Sequence, residues 1–339
     1  TMDLAIQERE SALIVGTFGR AIWVLDDLLS LREAAAGRLK LGLTALPMND
    51  AVQVKGLFIN PPGNIWTGFN TTFEGENKPF QKTLIPFYVN RDNIGADLEA
   101  KAEIFDAEGK HIQTVSAQEL SPGLNYLSWK LDEAASRLPG AYVSDESRGI
   151  PVLPGKYRVV VHFEGEQDTT EVQVIPDPRF EPMPKIDAAH YALVKRLDQS
   201  VAGLSDALNR LTASQETLDN IQQQLDKIDY SADHPLREAS RELEAKLKAL
   251  NDLARGKRPE KQVGAWQSFE TTAYGQVSGT LWRLRGRTFE PSSQDKAEVA
   301  KAEDLVKSFE ESVEAFYENE WKSYREQVES ADLSWFAGE

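Results

Sequence analysis

Between Ala12 and Asp27 the chain reads Ala-Leu-Ile-Val-Gly-Thr-Phe-Gly-Arg-Ala-Ile-Trp-Val-Leu-Asp-Asp, two apolar runs around a glycine-containing turn. Leu13–Val15 and Ile22–Leu25 are the arms of a β-hairpin, with Gly16 to Arg20 as its turn. No partner sheet follows directly, and an isolated hairpin is marginal in water, so this one is expected to need a sheet lying largely outside the 339 residues. Seven short apolar runs with turn signals between them then occupy Val52–Ile59, Thr83–Val89, Leu98–Phe105, His111–Val115, Leu124–Leu131, Gly155–Phe163 and Thr169–Ile175. Tyr157, Val159, Val161 and Phe163 alternate with Arg158, Val160 and His162, which assigns one face to a core and makes Trp129 the expected core aromatic. Asp106-Ala-Glu-Gly109 is a hairpin turn in which Gly109 takes positive φ. Seven punctuated strands predict a β-sandwich of immunoglobulin or fibronectin-III type over residues 50–176.

The period changes after Ile175-Pro-Asp-Pro-Arg-Phe-Glu-Pro-Met-Pro184, where four prolines in nine residues forbid helix and predict an extended linker over 177–185. Beyond it, Leu193, Leu197, Val201, Leu204, Leu208, Leu211, Leu218, Ile221, Leu225 and Ile228 step mainly by three and four, the stripe of one long helix. Leu236, Leu243, Leu247, Leu250 and Leu253 define a second helix, with Asp233 as cap and Pro235 tolerated in the first turn. A third runs through Val263, Trp266, Phe269, Ala273, Val277, Leu281 and Leu284. Gly275 and Gly279 weaken it by roughly 1 kcal/mol each or admit a close neighbour. Ser292-Ser-Gln-Asp295 opens a fourth like a capping box, with Ala302, Val306, Phe309, Val313, Phe316 and Tyr324 on its stripe. Four amphipathic helices predict an antiparallel four-helix bundle over 186–339. Trp321, Tyr324, Trp335 and Phe336 are expected to close its end.

Composition narrows the function classes. A net charge of −16 and a pI near 4.9 oppose nucleic acid and anionic membranes, and Arg255-Gly-Lys-Arg258 is a short basic run at an expected helix end. Without cysteine there is no disulfide or thiolate metal site. No apolar run reaches the roughly 20 residues of a membrane span. His111, His162, His190 and His234 show no ligand spacing, and no nucleophile elbow or phosphate loop is present, so no catalytic residue, metal site or cofactor is assigned.

Three acidic pairs are candidates for chemistry. Asp26 and Asp27 are neighbours at a strand end and point to opposite faces, unlike the two facing acids of a glycosidase. Asp145 and Glu146, and Asp92 with Asp97, lie in polar loops with too few oxygens for a calcium cage. The binding candidate is Pro61-Pro-Gly-Asn-Ile-Trp-Thr-Gly-Phe-Asn-Thr-Thr-Phe73, whose Trp66, Phe69 and Phe73 either stack on a ligand or plug an end of the sandwich.

The phrase Gly16-Thr-Phe-Gly-Arg-Ala-Ile-Trp-Val-Leu-Asp-Asp27 resembles the last blade of bacterial sortilin-like, glycosyl-hydrolase-like β-propellers. Ile104-Phe-Asp-Ala-Glu-Gly109, Gly123-Leu-Asn-Tyr-Leu-Ser-Trp-Lys-Leu131, Pro154-Gly-Lys-Tyr-Arg-Val159 and Asp177-Pro-Arg179 follow in the order of that family's continuation. The resemblance implies an α+β multidomain piece: a β-hairpin remnant of a propeller and linker over 1–49, an immunoglobulin-like sandwich, then the helical bundle. It further implies a non-catalytic accessory region of a secreted, periplasmic or envelope-associated protein, with the rest of the propeller as partner and a protein or glycan as further ligand. Two alternatives stand beside it: a hydrolase whose active site lies in the absent propeller, and an oligomerisation module. The family's Ser-x-Asp-x-Gly-x-x-Trp box does not occur in the chain, so no site residue is carried over.

Overall fold

The computed structural model describes residues 3–8, 11–19, 22–25, 27–53, 83–140, 149–178, 180–227, 235–257, 271–285 and 290–331. The protein is mixed α/β, with several helices and several separate sheets. It divides into two compact units, one of Thr1–Ala134 with Arg148–Tyr191, the other of Ala135–Ser147 with Ala192–Glu339.

In the first unit the chain begins with β1 (Asp3–Gln7), β2 (Ala12–Gly16) and β3 (Ile22–Leu25), an antiparallel sheet in that order. The hairpin therefore has a partner strand, and it precedes the hairpin rather than following it. Asp27 ends this sheet by capping α1 (Leu28–Ala35): its Oδ1 accepts from the Ser30 N–H at 3.0 Å.

Next come β4 (Gly42–Ala45), β5 (Ala51–Gln53), β6 (Thr83–Asn90), β7 (Ala100–Phe105), β8 (His111–Ala117) and β9 (Gly123–Trp129). After them lie the short β10 (Asp132–Glu133) and β11 (Ile150–Pro151), then β12 (Gly155–Phe163) and β13 (Glu166–Pro176). They form a three-stranded sheet β4-β6-β9, a five-stranded sheet β5-β13-β12-β7-β8 and the small pair β10-β11. All pairings are antiparallel except β5 with β13. The alternation read in β12 is realised, with Tyr157, Val159, Val161 and Phe163 all buried. Phe87, Ile85 and Leu127 of one sheet and Ile104, Val159 and Val172 of the other join in one hydrophobic cluster around Trp129, which is 0% exposed. Each such side chain contributes about 1.5–3 kcal/mol.

Two corners hold this core in register. The Trp129 indole donates to the Asp132 carbonyl at 2.8 Å and meets Tyr157 edge-on at 5.4 Å. Tyr157 in turn donates to the Leu153 carbonyl, four residues upstream, at 2.7 Å. The turn after β7 is closed by Asp106, whose carboxylate accepts from the Glu108 and Lys110 N–H groups, and Gly109 has φ +81°.

The second unit is helical. It contains most of α2 (Pro184–Lys227), with α3 (Pro235–Arg255), α4 (Ala273–Arg285), α5 (Ser293–Phe316), a π-turn at Tyr317–Trp321 and α6 (Lys322–Ser330). The stripes read for α2 and α5 are buried from Leu193 to Leu225 and from Ala302 to Tyr324, apart from the half-buried Ile221. Ser292 and Asp295 form the capping box reciprocally, at 3.1 and 3.0 Å. Leu253, assigned to the α3 stripe, is 55% exposed instead. Val263, Trp266, Phe269, Ile228 and Asp233 lie outside the described residues.

Two expectations change here. Arg196 binds Glu303 bidentately, Arg210 binds Glu314, and Ser214 meets Tyr317, so α2 and α5 run side by side in the same direction. Ser240–Tyr324 and Lys246–Glu320 make α3 antiparallel to the π-turn and α6, as Gln276–Glu298 and Arg283–Asp295 make α4 antiparallel to α5. The fully antiparallel arrangement is thus corrected, because an apolar stripe says that a helix packs and not which way it points. Gly279 is no close-approach site either, since a Cβ there meets nothing within 4 Å.

Candidate interaction surface

The sheet β1-β2-β3 differs from the other two larger sheets in what it leaves outside. Residues paired across antiparallel strands share a face, and the register pairs Leu4 with Val15, Ile6 with Leu13, Val15 with Trp23 and Leu13 with Leu25. One face is therefore Leu4, Ile6, Leu13, Val15, Trp23 and Leu25, six apolar side chains without a polar interruption. The opposite face carries Ala5, Ala12, Ile14, Gly16, Ile22 and Val24, with Asp3 and Gln7 only at the ends.

Both faces are exposed at the outer strands, while in the central strand Ala12 is buried and Leu13, Ile14 and Val15 are half-buried. Exposures are 58% for Leu4, 52% for Ile6, 74% for Ile22, 54% for Trp23, 54% for Val24 and 44% for Leu25, and Phe18 in the turn reaches 83%. Single exposed apolar residues are ordinary, whereas a contiguous two-sided set marks a surface made to be covered. Strands covered on both faces read as continuous apolar runs, as Ile-Trp-Val-Leu does here.

Asp92 and Asp97 are exposed in a loop, whereas other acidic residues are held by structural partners. Asp27 caps α1 and accepts from the Tyr126 hydroxyl at 3.3 Å; Asp26 lies outside the described residues. Asp132 takes the Gly149 N–H at 2.5 Å, and Glu133, 3% exposed, takes the Tyr191 hydroxyl at 3.1 Å with the Lys110 ammonium at 3.8 Å. Burial, then the Glu133 charge and the hydrogen bond to it, push the Tyr191 phenol well above its ordinary value. Burial pushes Tyr157 up to about 12, helped by Asp106, Glu133 and Glu108. This corner holds β10-β11 and the first turns of α2 together. Sequence reasoning missed it because β10 and β11 are two residues each.

A second acidic arrangement closes a strand edge. Glu166 and Asp168 of β13 accept from the Leu43 and Ala45 N–H groups of β4, each at 2.9 Å, on the side of β4 that has no strand partner. Lys40 binds Asp168 at 2.6 Å. Burial raises the Asp168 carboxyl, and the Lys40 ammonium with the Ala45 and Thr169 N–H groups outweighs it, so the net shift is downward.

The remaining candidates sort quickly. Trp66, Phe69 and Phe73, with Asp145, Glu146, His234, Trp335 and Phe336, lie outside the described residues. His111 meets the Thr114 hydroxyl and His162 meets Glu103, each at 2.9 Å, and they are not brought together. Among the described residues no group of three or more His, Asp or Glu could hold a metal ion. Arg255, the last residue of α3, donates to the Pro139 carbonyl and stacks on Tyr274. No helix among the described residues is long and apolar enough to cross a membrane. A shallow cavity of about 700 Å³ lies beside Lys248, Asp252, Leu253 and Thr272. No family model matches the chain, and no curated protein sequence matches it.

Proposed function

We propose that the chain is a non-catalytic accessory and interaction region of a larger secreted or periplasmic protein of the sortilin-like β-propeller kind. The observation that carries this is the two-sided apolar sheet β1-β2-β3. A propeller blade is a small sheet, typically four-stranded, packed between two neighbouring blades, so both of its faces must be apolar. Three strands with apolar residues on both faces match such a blade short of one strand.

The remainder fits a scaffold. In this reading β4-β6-β9 and β5-β13-β12-β7-β8 are the layers of an immunoglobulin-like sandwich. The Tyr157 hydroxyl returning to Leu153 near the start of β12 supports it as the tyrosine corner of that architecture. The helices of the second unit are read as a bundle with a parallel α2/α5 pair. Buried acids that cap helices, turns and strand edges are occupied in folding and not free for acid–base work. An oligomerising role for the last helices draws no support, because Phe309, Val313, Phe316 and Tyr324 all point inward.

The test is intact-mass and N-terminal analysis of the polypeptide as its source organism makes it. Further sequence before Thr1 with the repeated strand pattern of propeller blades is the expected result. A mature polypeptide starting at Thr1 would remove the blade reading.

A further inference from the structure

Two strand edges of the first unit are treated in opposite ways. On β4, carboxylates of Glu166 and Asp168 occupy the outward N–H groups, and an added Cβ at Gly42 would lie 2.1 Å from the Glu166 carboxylate. Blocking an edge with inward-pointing charge is how sheets prevent a stray strand from joining. Among the described residues the edge strand β3 has no such protection. Ile22, Trp23, Val24 and Leu25 carry no charge, proline or bulge, and all four are exposed. The opposite edge strand, β1, at least begins at Asp3, whose carboxylate accepts from the Leu4 N–H.

We infer that the open edge of β3 is a strand-acceptor site, and that it takes one uncharged β-strand with apolar side chains on both faces. The backbone of β3 supplies the hydrogen bonds, as in other strand-addition complexes. The pleat sets the chemistry of the partner. Side chains beside Trp23 and Leu25 extend the six-residue face, those beside Ile22 and Val24 extend the other, and a charge on either would be buried without a partner. A strand of about five residues spans the edge. The identity of the strand as part of a propeller blade rests on the function proposed above; the acceptor edge does not.

Hydrogen exchange read at the β3 amides directed away from β2 tests this. In the isolated 339-residue chain at low concentration they should exchange near the rates of an unstructured peptide. In the protein isolated from its source they should be slowed at least 100-fold. Val24→Lys should leave the melting temperature of the isolated chain unchanged, since Val24 is half exposed, and should abolish the protection in the source protein. Unprotected β3 amides in the source protein overturn the inference. So does protection in the isolated chain that rises with concentration, because the occupant is then a second copy. Blades present with β3 unprotected would refute this inference alone; β3 protected without blades would refute only the propeller reading.

Discussion

Replacing Gly149 by alanine should unfold the first unit at a markedly lower temperature. A Cβ at this position would lie 1.8 Å from the Glu133 carbonyl oxygen, whereas real contacts essentially never fall under 3.0 Å. The β10-β11 pair must therefore open by more than an ångström. That movement breaks the 2.5 Å bond from the Gly149 N–H to Asp132, a carboxylate only 5% exposed. Loss of a hydrogen bond to a buried charge costs about 1.5–3 kcal/mol. Overpacking against fixed backbone adds about 1–3 kcal/mol. For a unit of this size the combined loss lowers the midpoint by roughly 10 °C. Gly165→Ala is the control: it has φ +82° with nothing within 4 Å of the added carbon, so it carries only the left-handed backbone cost of about 1–2 kcal/mol. Differential scanning calorimetry of the two variants decides the matter. Equal midpoints would refute the argument that β10-β11 is locked through Gly149.

Asp168→Asn should cost about 1–2 kcal/mol at pH 7, through the lost charge beside Lys40 and the Ala45 N–H. Because its folded pKa is depressed, the contribution is full above the unfolded value near 4 and disappears as pH falls through the folded one. Melting curves of variant and wild type should converge progressively as pH falls below that unfolded value. Tyr157→Phe keeps the edge contact with Trp129, loses the bond to Leu153 and should cost about 1 kcal/mol in denaturant titration. The unfolded phenol ionises near 10 and the folded one at about 12, so wild-type stability falls as pH rises between them, and the variant should lose part of that slope. Tyr324→Phe removes the hydroxyl contact to buried Ser240 and should cost about 1 kcal/mol. Deleting Asn319 from the π-turn turns Tyr324 by roughly 100° away from Ser240 and should cost the second unit more than Tyr324→Phe does, again by calorimetry.

What was legible in the sequence followed short-range physics. Alternation in Tyr157–Phe163, the Asp106–Gly109 turn and the Ser292–Asp295 box each depend on residues within a few positions, and each is realised. β4 was not legible, because four residues before a proline give no period and its free edge is closed by side chains more than 120 residues away. The strand β1 was hidden for a different reason: Leu4 and Ile6 alternate with small or polar residues over only five positions. The parallel course of α2 and α5 depends on long-range pairs such as Arg196 with Glu303, which no stripe encodes. The π-turn inserts one residue without disturbing the apolar count, so Tyr317 reaches Ser214 on α2 while Tyr324 reaches Ser240 on α3. Of the interaction surface, β2 and β3 were evident as a hairpin in need of a sheet. Its two-sided character emerged only from the register with β1.

The central claim is that the faces of β1-β2-β3 are covered in the working protein. Hydroxyl-radical footprinting of Trp23, Ile22 and Phe18 measures this directly, in the isolated chain and in the protein from its source. The account predicts rapid oxidation of all three in the chain alone and strong protection of Trp23 and Ile22 in the source protein. Equal reactivity in both would contradict it.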